Sequence, residues 1–295
     1  NSPDRDRAAV RQPGHRGEVQ RPRTPLMAAA AYVEFAKRAF AREATYREEV
    51  FTGIGSVALR VYLYFALWSA LYANNGPQAG FSLRDVITYA TLALLLGLVF
   101  GAQGPYVIRE KIREGSIAID LMRPISVPLY VFADTVGQVS FALVEIAIAL
   151  PLAIGLLALT GTHLLGPASP LDALAFVVSV LLGFLVNFFL DLIMATITFW
   201  TMEIFGFQLM VQFITSLLAG AVVPLQFFPS AVTKIALASP FAAIYSAPLS
   251  IYIGQYHGAQ LWMTLLSQVV WAVIFGVGAL ALWRVGERRV VVQGG

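Results

Sequence analysis

Three ionisable side chains, Arg60, Glu145 and Asp191, each interrupt a long run of otherwise uncharged residues. In an apolar surrounding each costs free energy unless it is paired or wetted. They therefore mark either a polar translocation path or proton relay, or structural ion pairs and charges that reach an interface along their own stems. Other chemistry-bearing patterns are sparse. There is no cysteine, hence no disulfide, thiolate metal site or thiol nucleophile. His15, His163 and His257 lack the close spacing of a zinc pair on one helix. The phosphate-cradling G-x-x-x-x-G-K-[ST], the zinc-protease H-E-x-x-H and the hydrolase G-x-S-x-G are all missing from the sequence. Gly53-Ile54-Gly55 and Gly276-Val277-Gly278, each with alanine three residues on, have the outline of a dinucleotide fingerprint. That fingerprint works only between a strand and a helix. Both copies fall in runs read below as helical spans, where small residues permit close helix packing, as for Gly97-x-x-x-Gly101. The expectation is a chain with no catalytic residue and no cofactor or metal of its own.

The elements that must position these residues follow from hydropathy. Hydrophobic residues make up 58% of the 295 and charged ones 13%, against about 45–50% and about 25% in soluble domains. A bilayer core of roughly 30 Å needs about 20 helical residues. Uncharged or nearly uncharged runs at 51–73, 86–108, 131–159, 171–199, from 208 into the Pro224–Pro229 region, and 260–283 read as six spans. The first ends in the turn formers Asn74, Asn75, Gly76 and Pro77. In the last, Trp262 and Trp283 stand 21 residues apart, or roughly 32 Å of helix, a spacing that puts an indole at each membrane interface. Between Pro240 and Gly254 an apolar stretch too short to cross reads as a re-entrant or surface helix, tolerated only against protein or a wet cavity.

Outside the spans, residues 1–26 are rich in arginine and proline and poor in large apolar side chains, the composition of a flexible tail. Residues 27–50 form a two-faced helix with Tyr32, Phe35, Ala39, Tyr46 and Val50 on one side and Glu34, Lys37, Arg38 and Arg47 elsewhere. That pattern suits a helix lying flat at the membrane surface or one packed on a partner. Residues 109–128, REKIREGSIAIDLMRPISVP, read as a charged helix, a glycine, then a short amphipathic turn of Ile117, Ile119, Leu121 and Met122 stopped by Pro124. This compact knob would either insert into a partner's groove or rest on the membrane. Lys37, Arg38, Arg42, Arg47, Arg109, Lys111, Arg113, Arg123, Arg284, Arg288 and Arg289 fall on one side of a six-span topology, and only Arg84 and Lys234 on the other. Both termini are therefore expected in the cytoplasm. The net charge of +3 is then a topology signal and an attraction for anionic lipid, with no nucleic-acid partner implied.

The order of these features resembles the ABC-2 type family of ABC exporter permeases. It runs from an interfacial helix through the glycine-to-"LMRP" knob between spans two and three and "AGAVVPLQFFP" closing span five to "SPFAAIYSAPLSIYIGQ" before span six. The likeness covers residue 28 to the C-terminus; the tail before Met27 has no counterpart. It implies an all-α membrane protein with six transmembrane helices, an N-terminal amphipathic connecting helix and a re-entrant extracellular segment before the last helix. Gly115, Ile119, Leu121, Arg123 and Pro124 match the coupling helix that docks on the ATPase. Tyr32, Phe35, Arg38 and Tyr46 match the connecting helix, and Pro224, Phe228 and Pro229 the external gate. By that resemblance the chain is the permease subunit of an exporter in a bacterial inner (plasma) membrane, working by alternating access. ATP and magnesium would be held by a separate ATPase, with a second copy or a homologous permease alongside. An ion-coupled secondary transporter using Glu145 or Asp191, and a non-transporting scaffold, are the rival expectations.

Overall fold

A computed structural model describes residues 25–74, 76–201 and 205–293, in which every regular element is a helix and no strand occurs. The helices are α1 (Pro25–Thr45), α2 (Arg47–Tyr72), α3 (Leu83–Phe100), α4 (Gly104–Arg113), α5 (Ile117–Leu121), α6 (Val127–Leu159), α7 (Pro170–Ile197), α8 (Phe205–Leu218), α9 (Ser230–Ala238), α10 (Ser246–Tyr252) and α11 (Ala259–Gln293). Most of the expected tail, His15 included, lies outside the described residues, as does Asn75 of the first turn.

Among the described residues five stretches are long and apolar enough to cross a membrane: Val50–Tyr72, Leu83–Phe100, Val127–Ala158, Pro170–Ile197 and Ala259–Val290. Their outer faces are greasy. Leu59, Leu63 and Leu67 on α2 and Leu266, Val273 and Val277 on α11 are all exposed, a continuous apolar surface that water would penalise and hydrocarbon would not. Sequence and structure differ at the second span, expected to run to residue 108. α3 stops at Phe100, where the Gly101 N–H closes on the Gly97 carbonyl at 2.9 Å. The chain then restarts as α4 at Gly104-Pro105, because proline has no N–H to continue a helix but suits its first turn. Gly104 lies so close to Thr135 of α6 that a Cβ would collide with the threonine hydroxyl. The eighteen residues of α3 still reach about 27 Å.

The run expected as the fifth span also differs. α8 has 14 residues, about 21 Å of helix, and ends at Leu218 rather than near Pro224. The chain reverses at Gly220, whose φ of +74° only glycine adopts without strain. The Tyr89 hydroxyl donates to the Gly220 carbonyl at 2.8 Å, and the Ser246 N–H donates to the Ala219 carbonyl at 2.8 Å. Beyond the turn, a 3₁₀ turn at Leu225–Phe227, α9, a second 3₁₀ turn at Phe241–Ala243 and α10 follow one another. Phe227 packs on Trp68 and Phe81 near the α2–α3 connection, the Ala243 and Ile244 backbone abuts Gly183 midway along α7, and Tyr252 meets Phe176 near the start of α7.

The core joins α2, α3, α6 and α7 around Val61, Trp68, Leu95, Ala153 and Val186, with Ile244 and Leu249 filling its centre. A second cluster ties the knob to the spans through Ile108, Ile117, Val131, Leu192 and Trp283. Trp283 is thus a core residue, edge-on to Phe199 at 5.5 Å, and not the interface anchor its spacing suggests. Trp262 is exposed. Among the glycine pairs, Gly276 takes the Phe189 ring at contact distance, whereas Gly53, Gly55 and Gly278 face open space within this chain. Gly97 faces the Tyr245 hydroxyl rather than another helix's glycine. Midway between α7 and α11 the buried Gln268 is saturated: the Ser179 hydroxyl donates to its Oε1 at 2.8 Å, and its amide donates to the Ser179 and Ala243 carbonyls. A fully satisfied polar cluster of this kind fixes one packing of the two helices.

Candidate functional site

The basic end of the molecule carries three linked parts. The first is the seat of α1. Its small residues Ala36 and Ala39 press on Gly137 of α6, where a Cβ would run into the Ala36 carbonyl oxygen. Phe35 stands edge-on to Tyr130 at 4.7 Å, Phe40 meets Phe141 at 5.5 Å, and the Ser126 N–H donates to the Tyr32 hydroxyl. The aromatic side of the helix is therefore spent on α6. Arg38 faces solvent beside Glu34, and exposed Tyr46 marks the break between α1 and α2. Arg42 locks the seat with two bonds, Nη1 to Asp134 Oδ1 at 3.2 Å and Nη2 to Oδ2 at 3.0 Å. That hydrogen bond to Asp134 holds the Arg42 guanidinium above its already high ordinary pKa. Gln138 donates to the same carboxylate and accepts from the Gln103 N–H, which carries the clamp to the start of α4.

The second part is the knob. Gly115, with φ +75°, ends α4 and turns the chain into α5. Asp120 gathers Lys111 and Arg123 into one ion cluster that closes the loop on itself. Ile117 is buried in the span core and Leu121 packs against the same cluster. Exposed at the tip are Ile119, Met122 at 78% of its surface, Arg123 and Pro124. Leu121, matched by resemblance to a docking residue, is thus part of the knob's root.

The third part is a cavity of about 570 Å³ between α3, α4, α7, α8 and Tyr245. Arg109 of α4 enters it with only 6% of its surface exposed, its Cζ 4.7 Å above the Tyr106 ring. Its Nε and Nη1 are buried without a hydrogen-bond partner. From α7 comes Asp191, whose Oδ2 accepts from the Asn187 amide at 2.9 Å; the same amide nitrogen reaches the Phe100 carbonyl at 3.2 Å. From α8 come Gln208, Gln212, Thr215 and Ser216, and the Gln208 Oε1 and Thr215 Oγ1 are likewise buried and unpartnered. Arg109, Gln208 and Thr215, each with a buried and unsatisfied polar atom, therefore line one space.

Of the three ionisable residues singled out in the sequence, only Asp191 lines this cavity. Arg60 is exposed on α2 and Glu145 partly buried on α6, so the structure does not gather the three into one path. Pro224, Phe228 and Pro229 do not line the cavity: Pro224 is buried before the 3₁₀ turn, Phe228 packs with Leu225 and Ala236, and Pro229 caps the start of α9. The Thr233 hydroxyl is placed to donate to the Leu225 and Phe228 carbonyls, which holds that turn in shape. Sequence reasoning missed Arg109 as a site residue, since it counts there only as one basic loop charge. It also missed α8, although Gln208, Gln212 and Thr215 recur at spacings of four and three, one polar stripe on an apolar helix.

With this geometry in view, comparison with known proteins yields one finding. A sequence profile for ABC-2 family transporter proteins matches residues 58–294. No curated protein matches the chain.

Proposed function

Because this chain belongs to the ABC-2 transporter family, we propose that it is the permease subunit of an ATP-driven exporter whose ATPase is a separate polypeptide. Membership makes it a multi-pass membrane transport protein. The finer reading places both termini and the basic end in the cytoplasm, counts α8 as the fifth of six crossings, and takes α9 to α10 as a re-entrant hairpin entering from the outside. What supports the hairpin is its contact sequence, from the α2–α3 connection to the middle of α7 and back to the start of α7.

The single observation that carries the coupling role is the division of the knob. Ile117 and Leu121 root it in the span core, while Ile119, Met122 and the Asp120-paired Arg123 are exposed at the tip. A partner that pushed this tip would move α4 and α6 as one body, because the Asp120 cluster and the Arg42–Asp134 clamp tie both to their neighbours. ATP binding could shift the spans only by favouring one arrangement over another, so the tip must bind differently in the two states. A second permease copy or a homologue would complete the pore, and the ATPase would hold the nucleotide and magnesium.

The test is co-purification of the chain with its ATPase, followed by nucleotide hydrolysis and transport in proteoliposomes. Met122→Glu with Arg123→Glu is expected to release the ATPase while leaving the permease folded. Substrate movement by the isolated chain without nucleotide would overturn the assignment and favour an ion-coupled carrier built on Asp191.

A further inference from the structure

The geometry points to a recognition site for a zwitterion in the cavity between α4, α7 and α8, with the ligand's anionic oxygen group on Arg109 and its ammonium on Asp191. This inference rests on the permease reading and names the class of molecule that the permease would hold at its basic end.

Burying a guanidinium with no counter-charge is strongly unfavourable, and Arg109 is nearly fully buried with Nε and Nη1 unpartnered. Among the described residues no ion pair joins Arg109 to Asp191, although both line the same space. An acidic and a basic side chain thus line one cavity with no ion pair between them. A ligand carrying one positive and one negative group leaves no residual charge in the site, whereas a simple anion would leave Asp191 uncompensated and a simple cation would leave Arg109 so. The size agrees. About 570 Å³ lies within the roughly 300–1,000 Å³ of small-molecule sites and is far more than one monatomic ion fills. The guanidinium fork suits a carboxylate or phosphate, which it can grip with two parallel bonds. The third wall carries the polar residues Gln208, Gln212 and Thr215, beside the polar chain between the two charged ends. The apolar edge of Leu190 and Met194 lets that chain carry hydrocarbon.

The same chemistry occurs in a soluble amino-phosphate and in a zwitterionic lipid headgroup, and binding to the purified, ATPase-free permease separates the two sources. The soluble arm titrates glycerophosphoethanolamine, with glycerol phosphate and ethanolamine as its two halves. The lipid arm compares thermal unfolding in nanodiscs of phosphatidylethanolamine and of phosphatidylglycerol with identical chains. Binding of the whole molecule at least tenfold tighter than either half, or stabilisation by phosphatidylethanolamine alone, is expected. Arg109→Gln should cut binding about tenfold and erase any residual affinity for the phosphate half, and Asp191→Asn should do the same for the ammonium half. If Arg109→Gln does not fold, Thr215→Val tests the third wall, with a threefold or larger loss expected. Equal binding of glycerol phosphate and the whole molecule, insensitivity to both wall substitutions, or no binding in either arm overturns the proposal. Because no ATPase is present, these outcomes are independent of whether the permease couples to nucleotide.

Discussion

Arg42 and Arg109 stand at the same end of the molecule and meet opposite fates. Arg42, half exposed, gives both terminal nitrogens to Asp134 and sits in a network that Gln138 extends to α4. Arg109, almost wholly buried, has two nitrogens with nothing to bond. Desolvation makes the second arrangement far more costly than the first, so stability alone does not account for it. The region around α1 and α6 is built to hold; the region around α4, α7 and α8 is left unsatisfied where something else can complete it. Gln268, equally deep but saturated, shows that this chain satisfies buried polar groups where it only needs packing.

Four substitutions break or sharpen that contrast, in falling order of effect on stability. Gly137→Val drives a branched side chain into the Ala36 backbone and should cost about 3 kcal/mol or more. It should lower the unfolding temperature and open residues 25–45 to protease, and an unchanged proteolysis pattern would mean that α1 is not seated on α6. Asp134→Ala strands Arg42 and Gln138 and should cost about 2 kcal/mol. A cycle with Arg42→Ala checks this, since two additive losses would show the pair to be uncoupled. Arg109→Met removes an unpaired buried charge and should leave stability level or raise it by roughly 1 kcal/mol while transport in proteoliposomes collapses; a sharp drop in melting temperature would instead place Arg109 with Arg42 as a structural residue. Met122→Ala with Arg123→Ala should change stability by less than about 0.5 kcal/mol yet reduce permease-stimulated ATP hydrolysis severalfold, and intact stimulation would move docking elsewhere.

Much of the architecture was legible from residue pattern. Hydropathy located the first, third and fourth spans and the start of the last to within a few residues, since a window of apolar side chains that long has one stable home, whereas α11 runs on past Trp283 to Gln293. The glycine, the acidic and basic residues and the proline of 109–128 were enough to outline a knob. The end of α3 was harder, because residues 101–108 carry no charge, like the span before them, and only the Gly101–Pro105 stretch hints at the break. α8 was overextended for the same reason: hydropathy continues past Leu218 although the backbone turns at Gly220. Trp283 was misassigned because spacing along a helix says nothing of which face a neighbour covers.

The amino-acid sequence by itself determined that this protein is a bundle of membrane-crossing helices with one basic end and a compact loop between its second and third spans. Apolar length and charge distribution are local, additive properties, readable without knowing any contact. Only the tertiary structure decided which charges are partnered. Asp134 lies 92 residues from Arg42, and Arg109 shares its cavity with Asp191 and Thr215 through packing of α4, α7 and α8. Whether a buried charge is neutralised depends on distances of a few ångströms between elements remote in the chain, and no periodicity encodes those distances.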